Sequence, residues 1–269
     1  MRPIPARILR RRVTQLDAAA HVTADTDQAL RHFTSVMTGW TEPETTALAG
    51  GPAVLAASEV EEADEIADSC LLLGRLARDR ESLVRGPLDR ARQHWIGTSP
   101  HELAPHRQPA LARERFTAPG RDPAPPSAKP FHLGLYTSTA QPDGPGMWRM
   151  YLDLGSSLHP RPWQTWQLPV TAPATDILEV GGAGDWVAFV GRYPLVHGDD
   201  VYPDWAKAAR DFAAVHMTLR AIVAAQGFRI PVADGLAVAP YWDIESVLWL
   251  RWSFVTPRLV EVTPPQDRP

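Results

Sequence analysis

The sequence predicts an α+β protein in which a helical N-terminal region packs on a tryptophan-rich, mostly antiparallel β domain. Ten tryptophans occur among the 269 residues, and all but Trp40 lie at or after Trp95. The residues before that point show helical spacing and few aromatic side chains, whereas those after it contain several short runs of strand-like alternation. A shift in both composition and periodicity is typical of two differently built regions.

Charge and composition exclude several classes of protein. The net charge is −4, so the chain has no overall basic field that would attract nucleic acid. No apolar run approaches the roughly 20 residues that a membrane-spanning helix needs. Cys70 is the only cysteine, which excludes an internal disulfide and a cysteine-based zinc site. We therefore expect a cytoplasmic protein with neither a membrane nor a nucleic acid as its partner.

Residues 1–12 are predicted to be a basic arm, and residues 13–93 are predicted to be helical. The stretch "SEVEEADEIADSCLLLGRLARDRESLV" begins with a capping box, Ser58 and Glu61, and carries acidic residues in its first turn and arginines in its last. Its apolar residues form a rough helical stripe of Val60, Ile66, Leu71, Leu72 and Leu76. This region is expected to be a small helical bundle.

Residues 94–269 are predicted to form the mixed α/β domain, which contains a proline-rich loop at 104–130. The run "APGRDPAPPSAKP" has too many prolines for a helix or a central strand. A helix is expected over 204–226, since Asp204 is a suitable cap and Gly227 a suitable end. The candidate strands are 131–138, 147–153, 164–170, 176–180, 186–190 and 246–255.

Three stretches of the β domain combine apolar strands with polar groups. "HWIGTSP" at 94–100 and "KPFHLGLYTSTA" at 129–140 both run from apolar residues into hydroxyls. In "APYWDIESVLWLRW" at 239–252, Asp243 and Glu245 are two residues apart and share a face if the segment is extended. Carboxylates on an otherwise apolar, aromatic segment are costly unless they are exposed or used. These stretches are therefore the candidate site.

Together the three stretches resemble the ADP-ribosyltransferase superfamily. Members carry a first strand that ends in Arg-Gly or His-Gly followed by Thr or Ser, then a strand with Ser-Thr-Ser or a Gly-Ile-Tyr-like segment, and a late glutamate. "GLYTST" is similar to both versions of the second motif, and Glu245 has the late position. The resemblance covers roughly residues 92–255. It departs at Ile96, which stands where the family has Arg or His; His94, on the same strand face, is the candidate substitute.

The resemblance implies an ADP-ribosyltransferase-like fold and NAD as the substrate, with the ADP-ribose passed to an unidentified acceptor or to water. Breaking the nicotinamide–ribose bond passes through an oxocarbenium-like centre, which a fixed carboxylate stabilises. The implied catalytic residues are Glu245, His94 and Ser138, and Glu179 is the rival carboxylate. The implied cofactor-binding residues are Gly97, Thr98, Tyr136, Thr137 and Trp242, and no metal ion is expected.

Two other functions stay open. The tryptophans could form the aromatic surface of a non-catalytic ligand- or protein-binding module, although tryptophans more often fill a core. His-x-Thr, the signature of two-histidine phosphoesterases, occurs at residues 21, 32 and 216, but a three-letter motif is expected by chance. His216 is interpreted as a core residue on the apolar face of the 204–226 helix. "GGAG" at 181–184 is not interpreted as a P-loop, because it lacks the lysine and the preceding strand geometry.

Overall fold

Two β-sheets organise the part of the chain that the structure describes. This computed structural model describes residues 53–54, 60–61, 63–64, 67, 93–97, 113–114, 116–120, 126–130, 132–139, 146–153, 161–239, 242 and 244–265. These residues form a mixed α/β arrangement with one five-stranded and one seven-stranded sheet. The mixed class predicted from the sequence is therefore confirmed, and strands predominate over helices as expected.

The smaller sheet is built mainly from two hairpins in the C-terminal half. Its strand order is β1 (Ala53–Val54), β9 (Phe228–Val232), β10 (Gly235–Val238), β7 (Asp200–Pro203) and β6 (Pro194–His197). The β6–β7 and β9–β10 pairs are antiparallel, whereas β1 and β9, and also β10 and β7, run parallel. The strand β1 lies within the region predicted to be helical, so that prediction is wrong at residues 53–54. There the backbone pairs with the edge of β9 instead.

The larger sheet contains all three stretches that carry the candidate site. Its order is β12 (Arg258–Thr263), β4 (Trp163–Leu168), β2 (Gln93–Gly97), β3 (Leu135–Thr139), β11 (Ser246–Trp249), β8 (Ala214–Met217) and β5 (Ile177–Val180). Every neighbouring pair is antiparallel except β5 and β8, which are parallel. The expected predominance of antiparallel pairing is thus observed in this sheet.

Four α-helices with described bounds and one short 3₁₀ turn lie among the strands, and the described residues 60–61, 63–64, 67 and 113–114 are helical as well. The helices are α1 (Met147–Asp153), α2 (Ala183–Arg192), α3 (Trp205–Asp211) and α4 (Leu219–Ala225), and the 3₁₀ turn is Ala174–Asp176. The chain passes through α2, β6, β7 and α3 between the parallel strands β5 and β8. Among the described residues, no helix has both the length and the apolar content needed to cross a bilayer.

The helix predicted over 204–226 is interrupted by a strand. It begins as predicted, because the Asp204 side chain accepts a hydrogen bond from the Lys207 amide. However, α3 ends at Asp211, β8 follows at Ala214–Met217, and α4 begins after Thr218. All four residues of β8 are buried between β5 and β11, so ladder hydrogen bonds on both sides replace the helical ones. The placement of His216 on a helix is therefore wrong, since it lies on a central strand.

Two predicted strands are helices. Residues 147–153 form α1, in which Arg149 pairs with Asp153 across one turn at 3.2 Å and the Leu152 side chain is buried. Residues 186–190 lie inside α2, whose buried residues Ala183, Trp186 and Phe189 recur every three positions. The continuous apolar run "WVAFV" concealed that period, because it also fits a fully buried strand.

The remaining strand predictions differ mainly in length. The strands predicted at 164–170 and 176–180 appear as β4 and β5 with small shifts at their ends. The strand predicted at 131–138 appears as β3 but begins only at Leu135, after Gly134 adopts a positive φ of 70°. The strand predicted at 246–255 ends at Trp249, because the amides of the next two residues both donate to the Ala213 carbonyl.

The tryptophans fill the core rather than cover a surface. Seven of the nine that the structure describes are buried: Trp95, Trp163, Trp166, Trp186, Trp205, Trp242 and Trp249. The largest apolar cluster lies between the two sheets and α2, and includes Trp186, Trp242 and Phe228. Ala63 and Ala67, from the N-terminal region, belong to that same cluster. These seven tryptophans therefore do not form an exposed aromatic surface.

Candidate functional site

The three stretches with the family resemblance are neighbours in one sheet. Strands β2, β3 and β11 lie side by side in that order, although they are far apart in the sequence. His94 is the second residue of β2, Ser138 the fourth of five in β3, and Glu245 immediately precedes β11. Because both strand pairs are antiparallel, these three residues lie at the same end of the three strands.

The two faces of the sheet divide the predicted site residues. His94 pairs directly with Ser138, and Leu248 pairs with both Tyr136 and Val215. Directly paired residues share a face. We call the face with His94, Tyr136 and Ser138 the tyrosine face. Its reverse carries Thr137, Val247 and His216, which are paired in the same way, and we call it the histidine face.

Glu245 belongs to the histidine face. Its carboxylate contacts His216, whose Nε2 lies 3.1 Å from Glu245 Oε1. The three residues implied to act together, His94, Ser138 and Glu245, therefore share one end of the sheet but not one face. On the tyrosine face, the strand β11 presents Ser246, whose Oγ accepts a hydrogen bond from Trp242 Nε1.

The hydroxyl run of β3 is bonded within the protein. Thr137 Oγ1 donates to Gln93 Oε1 at 2.7 Å and accepts from Trp249 Nε1 at 2.7 Å, and Thr139 Oγ1 accepts from Gln93 Nε2 at 2.9 Å. On the other face, Ser138 Oγ accepts from the Trp148 amide at the start of α1. Thr137 thus uses its hydroxyl to satisfy buried polar groups, as burial requires.

Tyr136 and Trp242 form an aromatic pair on the tyrosine face. Their rings meet edge to face with centroids 5.6 Å apart, and Trp242 is fully buried. Burial raises the pKa of Tyr136 well above its ordinary value, so its phenol is neutral at physiological pH. The carbonyl of Trp242 accepts a hydrogen bond from Lys129 Nζ at 2.9 Å.

A cluster of ionisable groups around a fully buried histidine lies on the histidine face. His216 is 0% exposed, and its Nδ1 lies 3.3 Å from Glu179 Oε2 on the parallel strand β5. Its Nε2 contacts Glu245, so the two ring nitrogens connect two carboxylates. The exposed fraction is 49% for the Glu179 side chain and 11% for that of Glu245. The cluster therefore reaches from solvent, at Glu179, into the sheet.

The two carboxylates keep His216 charged. Burial alone lowers the pKa of His216, but the hydrogen bonds and charges of Glu179 and Glu245 outweigh burial and raise that pKa to about 9. At neutral pH the ring is an imidazolium, and both of its N–H groups donate to carboxylates. One positive charge thus lies between two negative ones, on the same face as the buried apolar residues Ala214 and Val247.

Each member of this cluster could be named from the sequence, but their contact with one another could not. Glu245 and Glu179 were regarded as rivals for one role, and His216 as a core residue. The contacts depend on the order β11–β8–β5, which pairs residues 29 and 37 positions apart. The alternation of "AVHMT" was the only local signal that His216 lies on a strand.

The glycine-rich loop after β5 already binds an acidic side chain of the protein. The strand predicted at 176–180 precedes "GGAG" as β5, and α2 follows it. Asp64 Oδ1 accepts from the Ala183 amide at 2.7 Å, and Arg220 Nη1 lies 3.4 Å from the same oxygen. The start of α2 is thus capped by a carboxylate of the N-terminal region.

Several predictions fall outside the described residues. Thr98, Asp243, His21 and His32 lie there, as does the basic arm. In the part of the chain that is described, no group of three His, Cys, Asp or Glu residues has the geometry to hold a metal ion.

Comparison with known proteins identifies no relative of this chain. No protein-family model, curated protein or solved structure matches the chain.

Proposed function

We propose that the protein cleaves the nicotinamide–ribose bond of NAD, by ADP-ribosyl transfer or hydrolysis, at the shared end of β2, β3 and β11. The observation that carries the proposal is the adjacency of these strands. The three stretches that resemble the family are far apart in the sequence but adjacent in the sheet. Their polar residues lie at the same end of the three strands. A chance similarity of short motifs would not require this adjacency. By the same argument, we propose that the fold is related to that of the ADP-ribosyltransferases.

Glu245 is the proposed stabiliser of the oxocarbenium-like centre. Its side chain is 11% exposed, and a carboxylate in such a setting acts more strongly on a nearby positive charge than one in bulk water. One oxygen accepts from His216, and the other has no hydrogen-bond partner among the described residues. That second oxygen is available to face the C1′ carbon of the ribose or to orient the acceptor.

The proposal puts the scissile bond beyond the strand ends rather than against either face. His94 and Ser138 approach that end on the tyrosine face and Glu245 on the histidine face. A ligand at the end of the sheet contacts groups from both faces, whereas a ligand on one face would contact only one set. In this arrangement His94 binds ribose or phosphate oxygens, while Ser138, which is 2% exposed, and Tyr136, which packs on Trp242, support the site from within the sheet.

The deciding experiment measures nicotinamide release from NAD by the full-length protein and its variants. Glu245→Gln keeps the shape and removes the charge, so we expect a loss of about 10²–10³ in rate, the scale for one electrostatic stabiliser. Glu261→Gln is the matched control, since Glu261 is an exposed carboxylate on β12, four strands from β11. We expect the control to keep full activity.

Binding is measured separately by thermal unfolding with and without NAD. A ligand present at about 100 times its dissociation constant stabilises the native state by about 2.7 kcal/mol. Glu245→Gln is expected to keep this shift, because the lost interaction belongs to the transition state. If Ser246→Ala abolishes turnover and Glu245→Gln does not, the chemistry lies on the tyrosine face and the assignment of Glu245 is wrong. If NAD is neither cleaved nor bound, the proposal fails.

The phosphoesterase alternative is disfavoured by the surroundings of His216. In a histidine-based phosphoesterase the imidazole must reach the phosphate or the attacking group. His216 is 0% exposed, and both of its ring nitrogens are engaged by carboxylates. Thr218, the third residue of that His-x-Thr motif, accepts a hydrogen bond from the Ala221 amide and caps α4. Both residues are thus occupied within the fold.

A further inference from the structure

We propose that His216 and Glu179 are positioning residues that hold Glu245 as an oriented anion. The contact runs from Glu179 on β5, through the ring of His216 on β8, to Glu245 at the start of β11. The inference about geometry and charge stands on these contacts. Its catalytic consequence rests on the proposed cleavage of NAD.

The ring geometry fixes both carboxylates at once. An imidazole has two nitrogens in one rigid plane, so donation from Nδ1 to Glu179 and from Nε2 to Glu245 sets the ring orientation. Because β8 is buried on both sides, the ring has no room to turn away from these partners. Glu245 lies just before β11, outside the regular strand. The backbone alone orients a side chain less strictly at such a position, so the contact with His216 matters more.

Stability alone does not explain the cluster. Three ionised groups beside an apolar cluster are costly to desolvate, and apolar residues of similar volume often stabilise a fold as well or better. The neighbours of His216 on its face are residues such as Ala214 and Val247, so an aliphatic side chain would suit the position. A charged histidine between two carboxylates is better explained if it orients the Glu245 carboxylate and keeps it ionised.

The two carboxylates have different surroundings, which suggests different roles. The Glu179 side chain is 49% exposed and contacts solvent, whereas that of Glu245 is 11% exposed beside the proposed site. In the described residues, Glu179 and Glu245 are the only titratable groups that contact His216. We infer that Glu179 helps to keep His216 protonated, and that His216 in turn keeps one oxygen of Glu245 engaged.

The direct test is NMR of the His216 ring with ¹⁵N-histidine labelling and no ligand. Two ring N–H signals protected from exchange are expected below about pH 9, with a titration midpoint near that pH. Glu179→Gln should perturb the Nδ1–H signal, Glu245→Gln the Nε2–H signal, and each should lower the midpoint. A wild-type midpoint near 6.5, or a single protected N–H, would overturn the proposal.

The kinetic test uses Glu179→Gln, because the half-exposed Glu179 can be changed with little effect on folding. In the wild type, kcat for NAD cleavage should fall as the pH rises through about 9, since His216 then loses its proton. In Glu179→Gln the same fall should occur at lower pH, with KM for NAD unchanged. A purely structural Glu179 would lower activity equally at every pH, and that result would contradict the positioning role.

His216→Gln supplies the second variant. It keeps one N–H donor for Glu245 but removes the positive charge and the rigid ring, and we expect a loss of about 10²-fold in kcat, the scale of a small misplacement. An active His216→Gln protein with the wild-type pH profile would overturn the proposal. If the NMR result holds and the wild type does not cleave NAD, the positioning of Glu245 stands and the proposed function is what fails.

Discussion

At the scale of single residues, Gly134 combines a left-handed backbone with close packing against β11. It opens the "GLYTST" stretch with a φ of 70°, and a Cβ there would lie 2.5 Å from Leu248 Cδ1 and 2.6 Å from the Trp249 carbonyl oxygen. Gly198 has a similar φ of 63°, but nothing lies within 4 Å of the position of its Cβ. Both glycines have a strained backbone for any other residue, but only Gly134 is also closely packed, so comparing substitutions at the two positions separates the two effects.

We expect Gly134→Ala to destabilise the protein more than Gly198→Ala. The left-handed conformation alone costs an L-residue about 1–2 kcal/mol, which both variants pay. Crowding against β11 should add about 1–3 kcal/mol at residue 134 only. Urea unfolding of both variants measures the difference. Equal losses would mean that β3 and β11 can separate at no cost, contrary to the tight approach of Gly134 to the Trp249 carbonyl.

The sequence was a better guide to which residues are chemically important than to where they lie relative to one another. The sequence pointed to Glu245 because a carboxylate on an apolar, aromatic segment is costly without a use. It offered Glu179 as the rival carboxylate and His216 only as a core residue. It could not join them, because contacts across β5, β8 and β11 depend on the order of strands in the sheet. It also could not show that Glu245 and Ser138 point to opposite faces, since that depends on the register between β3 and β11.

At the scale of elements, local pattern succeeded where periodicity was unambiguous and failed where burial was complete. The helix start at Asp204 was predicted correctly from its capping side chain. The segment "AVHM" was taken as helix because it lies between a suitable helix cap, Asp204, and a suitable end, Gly227. Its two neighbouring strands decided the outcome. Tertiary pairing overrode local preference there, as it commonly does for short buried segments.

Thr218 marks the point where the chain turns from β8 into α4. Its side chain accepts a hydrogen bond from the Ala221 amide at 3.1 Å, and its φ and ψ are extended, as for an N-cap. We expect Thr218→Ala to lower the free energy of unfolding by about 1 kcal/mol, and Thr218→Ser to keep most of that stability. Chemical denaturation measures both. If the two variants were equally destabilised, the methyl group rather than the cap would be what matters.

At the scale of the whole molecule, the seven-stranded sheet joins distant parts of the chain. Within it, the charged side chain of His216 connects three neighbouring strands. The ring connects β5, β8 and β11 through Glu179 and Glu245. Ala63 and Ala67 add the N-terminal region to the core on the other side of that sheet. Titration of this buried group should therefore be felt in global stability rather than in one loop.

The stability of the protein should fall as the pH rises from about 6.5 to about 9. The pKa of His216 is about 9 in the folded state and near 6.5 in the unfolded chain, so the folded protein binds the proton more tightly. The resulting stabilisation is fully present below about pH 6.5 and disappears above about pH 9, a change of about 3 kcal/mol. Urea unfolding at several pH values measures this change in stability. The same measurement on His216→Gln gives the contribution of every other titrating group, and the difference between the two proteins belongs to His216. Parallel curves for the wild type and His216→Gln would mean that the ring is neutral in the folded protein.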